Sequence, residues 1–184
     1  VTTLSLRGKP EHTELELFIK DNQSNKFIVK TERGHKGIGV NLVNGIDSLL
    51  SILETFHAIN DQRFIIQPFI EDAIEFRLFY INKKLEYIIT KDNSSNFKNN
   101  SQYCEFKIVK NNNEIKSIIK TADQVVSLID HDYLAVDIIS DESKHYILEV
   151  NLSPAFKELE RITSENIANK ILINLLNKKS SPGD

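Results

Sequence analysis

Tyr133-Leu134-Ala135-Val136-Asp137-Ile138-Ile139 and Tyr146-Ile147-Leu148-Glu149-Val150-Asn151-Leu152 are two apolar, β-branched runs, and the polar stretch Ser140-Asp141-Glu142-Ser143-Lys144 lies between them. Runs of this length around a polar turn read as a β-hairpin. Side chains alternate faces along a strand, so Glu149 and Asn151 share one face and Asp137 on the neighbouring strand can join them. An acid inside such a run is costly to bury unless it is paired or metal-bound, because burial strips its hydration. Oxygen donors of this kind suit Mg²⁺, with Mn²⁺ as an alternative. Two readings of the triplet stand side by side: a Mg²⁺–nucleotide site, or a sheet whose second face is simply solvated.

A chain of 184 residues that is 40% hydrophobic and 27% charged can bury a real core, as one domain or two small ones. The net charge of −3 provides no polyanion-binding footprint, so nucleic acid is not expected as a partner and any phosphate site must be local. Cys104 is the single cysteine, which excludes an intrachain disulfide framework and a multi-cysteine metal cluster and leads to the expectation of a cytoplasmic protein. No apolar run approaches the roughly 20 residues that span a bilayer, so no membrane partner is expected. Val1 is not an initiator residue and the chain has no Met, so further sequence is expected upstream. Residues 179–184 read as a disordered tail.

Towards the N-terminus, Lys26-Phe27-Ile28-Val29-Lys30 reads as a strand and Val40 to Val43 as another, with Gly34, Gly37 and Gly39 in the loop between them. Glycines let a backbone approach a ligand closely, and successive N–H groups of such a loop can cradle phosphate oxygens. A bare hairpin tip is the alternative. Lys30, at the strand end, is either a point charge for phosphates or a solvated side chain. Ile46 to His57 and Glu114 to Ile129 carry apolar residues at helical spacing. Arg63 to Ile70 reads as a strand broken at Pro68, whose end, Gln67-Pro68-Phe69-Ile70, can offer backbone groups to a planar base. Glu75 to Ile81 and Leu85 to Thr90 alternate around Asn82-Lys83-Lys84 as a second hairpin. Arg77 there falls opposite the Phe76, Leu78 and Tyr80 face, either to meet phosphate or to pair with Glu75 or Glu86. A last helix is expected over Glu165 to Leu176, capped by Ser164. The five histidines are scattered and suggest neither a metal cluster nor a catalytic triad.

In this order and spacing, Lys30, the Gly34 to Val40 loop, Gln67-Pro68-Phe69-Ile70-Glu71, Arg77, Phe97-Lys98-Asn99-Asn100, Val136-Asp137-Ile138 and Leu148-Glu149-Val150-Asn151-Leu152-Ser153-Pro154 resemble the RimK-like carboxylate–amine ligases of the ATP-grasp superfamily. The likeness implies an α+β fold of two subdomains with mainly antiparallel sheets sandwiching the nucleotide, here residues 1–69 and 70–178. It implies ATP as cosubstrate, a carboxylate and an amine as the other substrates, and an acyl phosphate on the way to an amide. Lys30, Gly34, His35, Gly37, Gly39, Gln67, Pro68, Phe69 and Ile70 would bind nucleotide. Asp137, Glu149 and Asn151 would hold the metal, and Arg77, Lys98 and Asn100 would act on the transferring phosphoryl group. No protein nucleophile is needed, since phosphoryl transfer depends on positioning and charge neutralisation.

The sequence departs from the pattern at several points: His35 stands where Ser or Thr is usual, Lys98 where Arg is usual, and Ala155 where Gly follows the proline. Asp92-Asn93-Ser94-Ser95 and Ser101-Gln102-Tyr103 replace basic stretches. A catalytically weak ATP-binding regulatory or scaffold module is therefore the alternative function, and homo-oligomerisation stays open.

Overall fold

The computed structural model describes residues 2–7, 11–32, 39–59, 63–92, 105–110, 113, 115–141 and 144–180. Two antiparallel sheets and five helices among these residues make the expected α+β fold. The chain divides into two compact units between Glu71 and Asp72.

The first unit contains β1 (Leu4–Arg7), α1 (His12–Asn22), β2 (Lys26–Thr31), β3 (Asn41–Asn44), α2 (Gly45–Ile59) and β4 (Arg63–Pro68). Its sheet runs β1-β4-β2-β3. Phe27 and Val29 on β2, with Phe64 and Ile66 on β4, lie two apart and face one core with Leu15 of α1 and Leu49 and Leu53 of α2. Phe56 of α2 stacks on Phe64 with ring centroids 5.2 Å apart. Lys30, next to Val29, therefore lies on the sheet face away from these helices. β3 turns directly into α2 at Gly45, whose φ of +79° suits glycine and whose N–H donates to the Asn25 carbonyl at 2.7 Å.

The second unit holds β5 (Ile74–Ile81), β6 (Lys84–Asp92), β7 (Glu105–Ile108), α3 (Lys116–Ser127), β8 (Tyr133–Ser140), β9 (His145–Asn151), α4 (Lys157–Thr163) and α5 (Ile167–Ser180). The sheet order is β7-β6-β5-β8-β9, all antiparallel. Asn82 and Lys83 both take positive φ at the β5–β6 turn, the backbone that two-residue hairpin loops require. One face packs Phe76, Leu78, Tyr80, Ile88, Leu134, Val136 and Ile138 against Ile118, Ala122 and Val126 of α3. The opposite face packs Phe79, Ile89 and Ala135 against Leu159 of α4 and Ile167 of α5. Covered on both sides, β5 and β8 are nearly continuous apolar runs, and Arg77 and Asp137 interrupt them.

A bulge at Glu86 turns it to the same side as Tyr87, and both meet Lys170 of α5. Lys170 Nζ lies 2.8 Å from Glu86 Oε2 and donates to the Tyr87 hydroxyl at 2.8 Å. Burial pushes the Glu86 carboxyl up, but the hydrogen bond and charge of Lys170, with Lys84, hold it below the usual carboxylate range.

Two expectations near the C-terminus need correction, and the structure adds an element that the sequence reading did not name. A helix, α4, follows the Pro154 turn. Ser164 does not cap α5: at φ +58° it ends α4 in the left-handed region. Asn166 accepts the Asn169 N–H at 2.8 Å, and the Glu160 carboxylate of α4 accepts the N–H groups of Ile167 and Ala168 at 2.9 and 3.3 Å. Ser164 and Asn166 are both good caps locally, and Glu160 supplies the additional acceptor only after α4 has folded back. α5 also continues through Ser180, so residues 179 and 180 are helical rather than tail; 181–184 lie outside the described residues.

Candidate active site

The hairpin begins with Ser140 opposite His145, Ile139 opposite Tyr146 and Ile138 opposite Ile147. Continued without interruption, that register would set Asp137 against Leu148 and turn Glu149 to the other face. A β-bulge intervenes: Leu148 is the extra residue, Asp137 faces Glu149, and Ala135 faces Asn151. Arg77 on β5 faces Asp137 from the other side. Arg77, Asp137 and Glu149 thus form one row across three strands, and Phe79, Ala135 and Asn151 form the next.

Within the row, the Arg77 guanidinium grips Asp137 with two parallel bonds, Nε to Oδ1 and the terminal nitrogen to Oδ2, each 2.6 Å. Its terminal nitrogen is 3.7 Å from Glu149 Oε1. Asp137 is 3% exposed, the Arg77 side chain 23% and that of Glu149 60%, so the row runs from the sheet interior towards solvent. Burial alone lowers the Arg77 pKa, but the bonds and charge of Asp137, with Glu75 and Glu149, more than offset it and raise the value above the ordinary one. Of the two readings of Arg77, to meet phosphate or to pair with Glu75 or Glu86, neither named its forked partner Asp137, which β8 brings alongside β5 on the side away from β6.

One guanidinium against two carboxylates leaves the row with one net negative charge. A carboxylate has about four lone-pair sites, so the two bonds from Arg77 leave acceptor capacity on both Asp137 oxygens. Asn151 Oδ1 accepts the Ser153 N–H at 3.0 Å, which fixes which end of the amide is the oxygen and leaves that oxygen a second lone pair. Two carboxylates and one oriented amide oxygen fit a hard divalent cation, and a third acid is not required. Among the described residues no group of three His, Cys, Asp or Glu side chains offers a competing site.

The other residues singled out in the sequence lie in the first unit or outside the described residues. Lys30 faces Ile65 across β2 and β4. Gly39 has φ +79°, a conformation L side chains rarely adopt, and its carbonyl accepts Asn41 Nδ2 at 3.2 Å. Gln67 Nε2 donates to Thr3 Oγ1 at 2.9 Å, and the Phe69 N–H donates to the Lys26 carbonyl at 2.8 Å, so both are used in holding the end of β4. Pro68 has a carbonyl but no N–H. Lys26 Nζ, 2.8 Å from Glu71 Oε1, ties down the next turn of chain. Gly34, His35, Gly37, Lys98 and Asn100 lie outside the described residues.

Sequence reasoning missed Tyr133 and His131, whose side chains reach the turn after Asn151. The Tyr133 hydroxyl donates to the Pro154 carbonyl at 3.1 Å. Burial pushes its pKa up to about 12, Arg77 opposing and Glu160 assisting. Burial, with Asp123 accepting from the hydroxyl at 2.7 Å, also raises Tyr80 well above its ordinary value. A raised folded pKa means that the stability from each phenol is complete below pH about 10, the unfolded value, and is lost as pH rises through the folded one. The urea midpoint should therefore fall between pH about 10 and about 12, and Tyr133→Phe should flatten part of that fall.

Comparison with known proteins gives the family of the chain. A family model described as the RimK-like ATP-grasp domain matches residues 3–175. The chain belongs to this family. Among curated relatives, a probable alpha-L-glutamate ligase of Trichodesmium erythraeum is 27% identical over 161 residues, covering 85% of this chain and 52% of that protein. One from Legionella pneumophila is 28% identical over 160 residues, covering 85% and 51%. D-alanine–D-alanine ligase from Bacillus anthracis, solved in complex with ATP, aligns at a TM-score of 0.71 and 22% identity, over 96% of this chain and 58% of that one. The last likeness shows an ATP-grasp fold. This RimK-like chain spans about half the length of the curated relatives it matches.

Proposed function

We propose that the chain is the nucleotide-binding and ligating part of an ADP-forming carboxylate–amine ligase that makes an amide bond. The observation that carries this reading is the row Arg77, Asp137 and Glu149 with Asn151 beside it, a cation-ready acidic patch next to a fixed guanidinium. Asp137, Glu149 and Asn151 would hold Mg²⁺, which supplies charge neutralisation to the nucleotide's phosphates when bound. Arg77 neutralises the acids and presents its remaining N–H groups to a phosphoryl oxygen. By the family resemblance, Lys30, Gly34, His35, Gly37 and Gly39 would contact the nucleotide's phosphates, and Lys98 and Asn100 would act on the transferring group. Gln67 to Ile70 hold the base, with the Pro68 carbonyl as an acceptor.

In the proposed reaction a substrate carboxylate oxygen attacks the γ-phosphorus, the bond to the β–γ bridging oxygen breaks, and ADP leaves. The amine then attacks the acyl carbon, loses a proton to solvent, and phosphate departs with the C–O bonding pair. Arg77 is suited to this because charge spreads over the transferring oxygens while no covalent bond to protein is needed. The relatives named as glutamate ligases make glutamate the first substrate to try on either side of the bond.

The decisive measurement is Mn·ADP binding by the wild type and by Glu149→Gln with Asn151→Ala. Removing direct ligands should cost more than the 10–100-fold typical of their outer partners, with the fold unchanged by circular dichroism. Unchanged affinity removes the metal assignment. Intact Mg·ATP binding without ADP release on any carboxylate–amine pair would replace the ligase by a nucleotide-responsive module.

A further inference from the structure

On leaving β9 the chain turns through Leu152, Ser153 and Pro154, where carbonyls have passed the end of the sheet ladder. Two side chains from the approach to β8 reach across to them. His131 Nε2 lies 2.5 Å from the Leu152 carbonyl, and since a carbonyl only accepts, that nitrogen carries the proton. The Tyr133 hydroxyl donates to the Pro154 carbonyl, and its ring meets Phe156 edge-on at 6.4 Å. Between these two anchors lies Ser153, whose N–H donates to Asn151 Oδ1.

His131 and Tyr133 continue, at two-residue spacing, the line of Ala135 and Asp137. Ala135 faces Asn151 and Asp137 faces Glu149, so β8 and the segment leading into it carry, at two-residue spacing, an acid of the proposed cation site, a small residue beside the amide, and two donors that pin the following turn. The consequence is specific to an amide. A carboxamide presents an acceptor at one end and a donor at the other, and a flipped Asn151 would turn its NH₂ towards a cation. The Ser153 N–H selects the oxygen-forward orientation only while the Leu152–Pro154 turn stays in place.

We infer that His131 and Tyr133 are positioning residues that clamp the Leu152–Pro154 turn and thereby aim Asn151 Oδ1 at a divalent cation. This rests on the cation reading proposed above. Neither side chain touches the cation or the reacting atoms, so the effect is expected in metal affinity rather than in the fold.

The test is Mn·ADP affinity, followed by Mn²⁺ electron paramagnetic resonance, set against ADP affinity in EDTA. His131→Leu should weaken Mn·ADP roughly tenfold, in the range seen when an outer partner of a metal ligand is lost, and leave metal-free ADP binding unchanged. His131→Gln, which restores an N–H donor, should recover most of that loss, and Tyr133→Phe should show a smaller deficit of the same kind. In an Asn151→Ala background, His131→Leu should add nothing, because the two act through one group. Unchanged Mn·ADP affinity in His131→Leu, or an equal loss in the Asn151→Ala background, overturns the clamp while leaving the cation site standing. Failure of the wild type to bind Mn·ADP, or indifference to Glu149→Gln, removes the cation reading and the clamp with it.

Discussion

Arg77→Met should destabilise the second unit by about 3–5 kcal/mol, the range for breaking a buried ion pair by removing one partner. Asp137 has 3% of its surface exposed and both its oxygens bonded to that guanidinium, so the substitution strands a carboxylate between two covered strands. Adding Asp137→Leu should recover most or all of the loss, because a packed apolar pair of similar volume is commonly neutral or stabilising relative to a buried ion pair. Nucleotide binding should not return in the double variant. Stability and binding would then separate, which distinguishes a functional ion pair from a structural one. The measurement is urea unfolding followed by tyrosine fluorescence, with Tyr80, Tyr87, Tyr133 and Tyr146 all in strands of the second sheet. A cost below about 1 kcal/mol for the single variant would show that the site relaxes or admits water.

Phe79→Ala should cost a similar amount, about 3–5 kcal/mol, through lost transfer free energy and the cavity left behind. Phe79 is 2% exposed and lies on the same sheet face as Arg77, under Leu159 of α4 and Ile167 of α5. Its loss should loosen the attachment of α5, so amide exchange over Ile171 to Leu175 should accelerate more than exchange over α3, which packs on the opposite face. Leu172→Ala is the control: on the outer side of the same helix and 54% exposed, it should change stability by no more than about 0.5 kcal/mol. Equal exchange on both faces would show that the two layers unfold as one.

Much of the fold was legible because the apolar periodicity is strong. Ile118, Ala122 and Val126 recur at four-residue spacing and form the buried stripe of α3, and Phe27, Val29, Phe64 and Ile66 alternate as half-buried strands do. α4 was not legible, since its seven residues place only Leu159 in the core. Ser164 misled because Ser is as good a cap as Asn, and a left-handed backbone at that position is decided by how α4 ends. Tyr133 and His131 carried no signal: a tyrosine at a strand start and a lone histidine in a loop are ordinary in sequence, and their partners are carbonyls some twenty positions away.

The amino-acid sequence by itself determined which groups are available: two acids and an amide in apolar strands, an arginine on the wrong face for the core, and a glycine-rich loop after a lysine. Whether the two acids, the amide and the arginine meet was decided by the tertiary structure of the second unit, through one extra residue in β9. Pairing from the turn inward would bury Glu149's neighbour against Asp137 and send Glu149 to the α3 face. The bulge at Leu148 shifts the register by one, and because side chains alternate with a period of two, that single step brings Glu149 and Asn151 onto the face of Arg77 and Asp137.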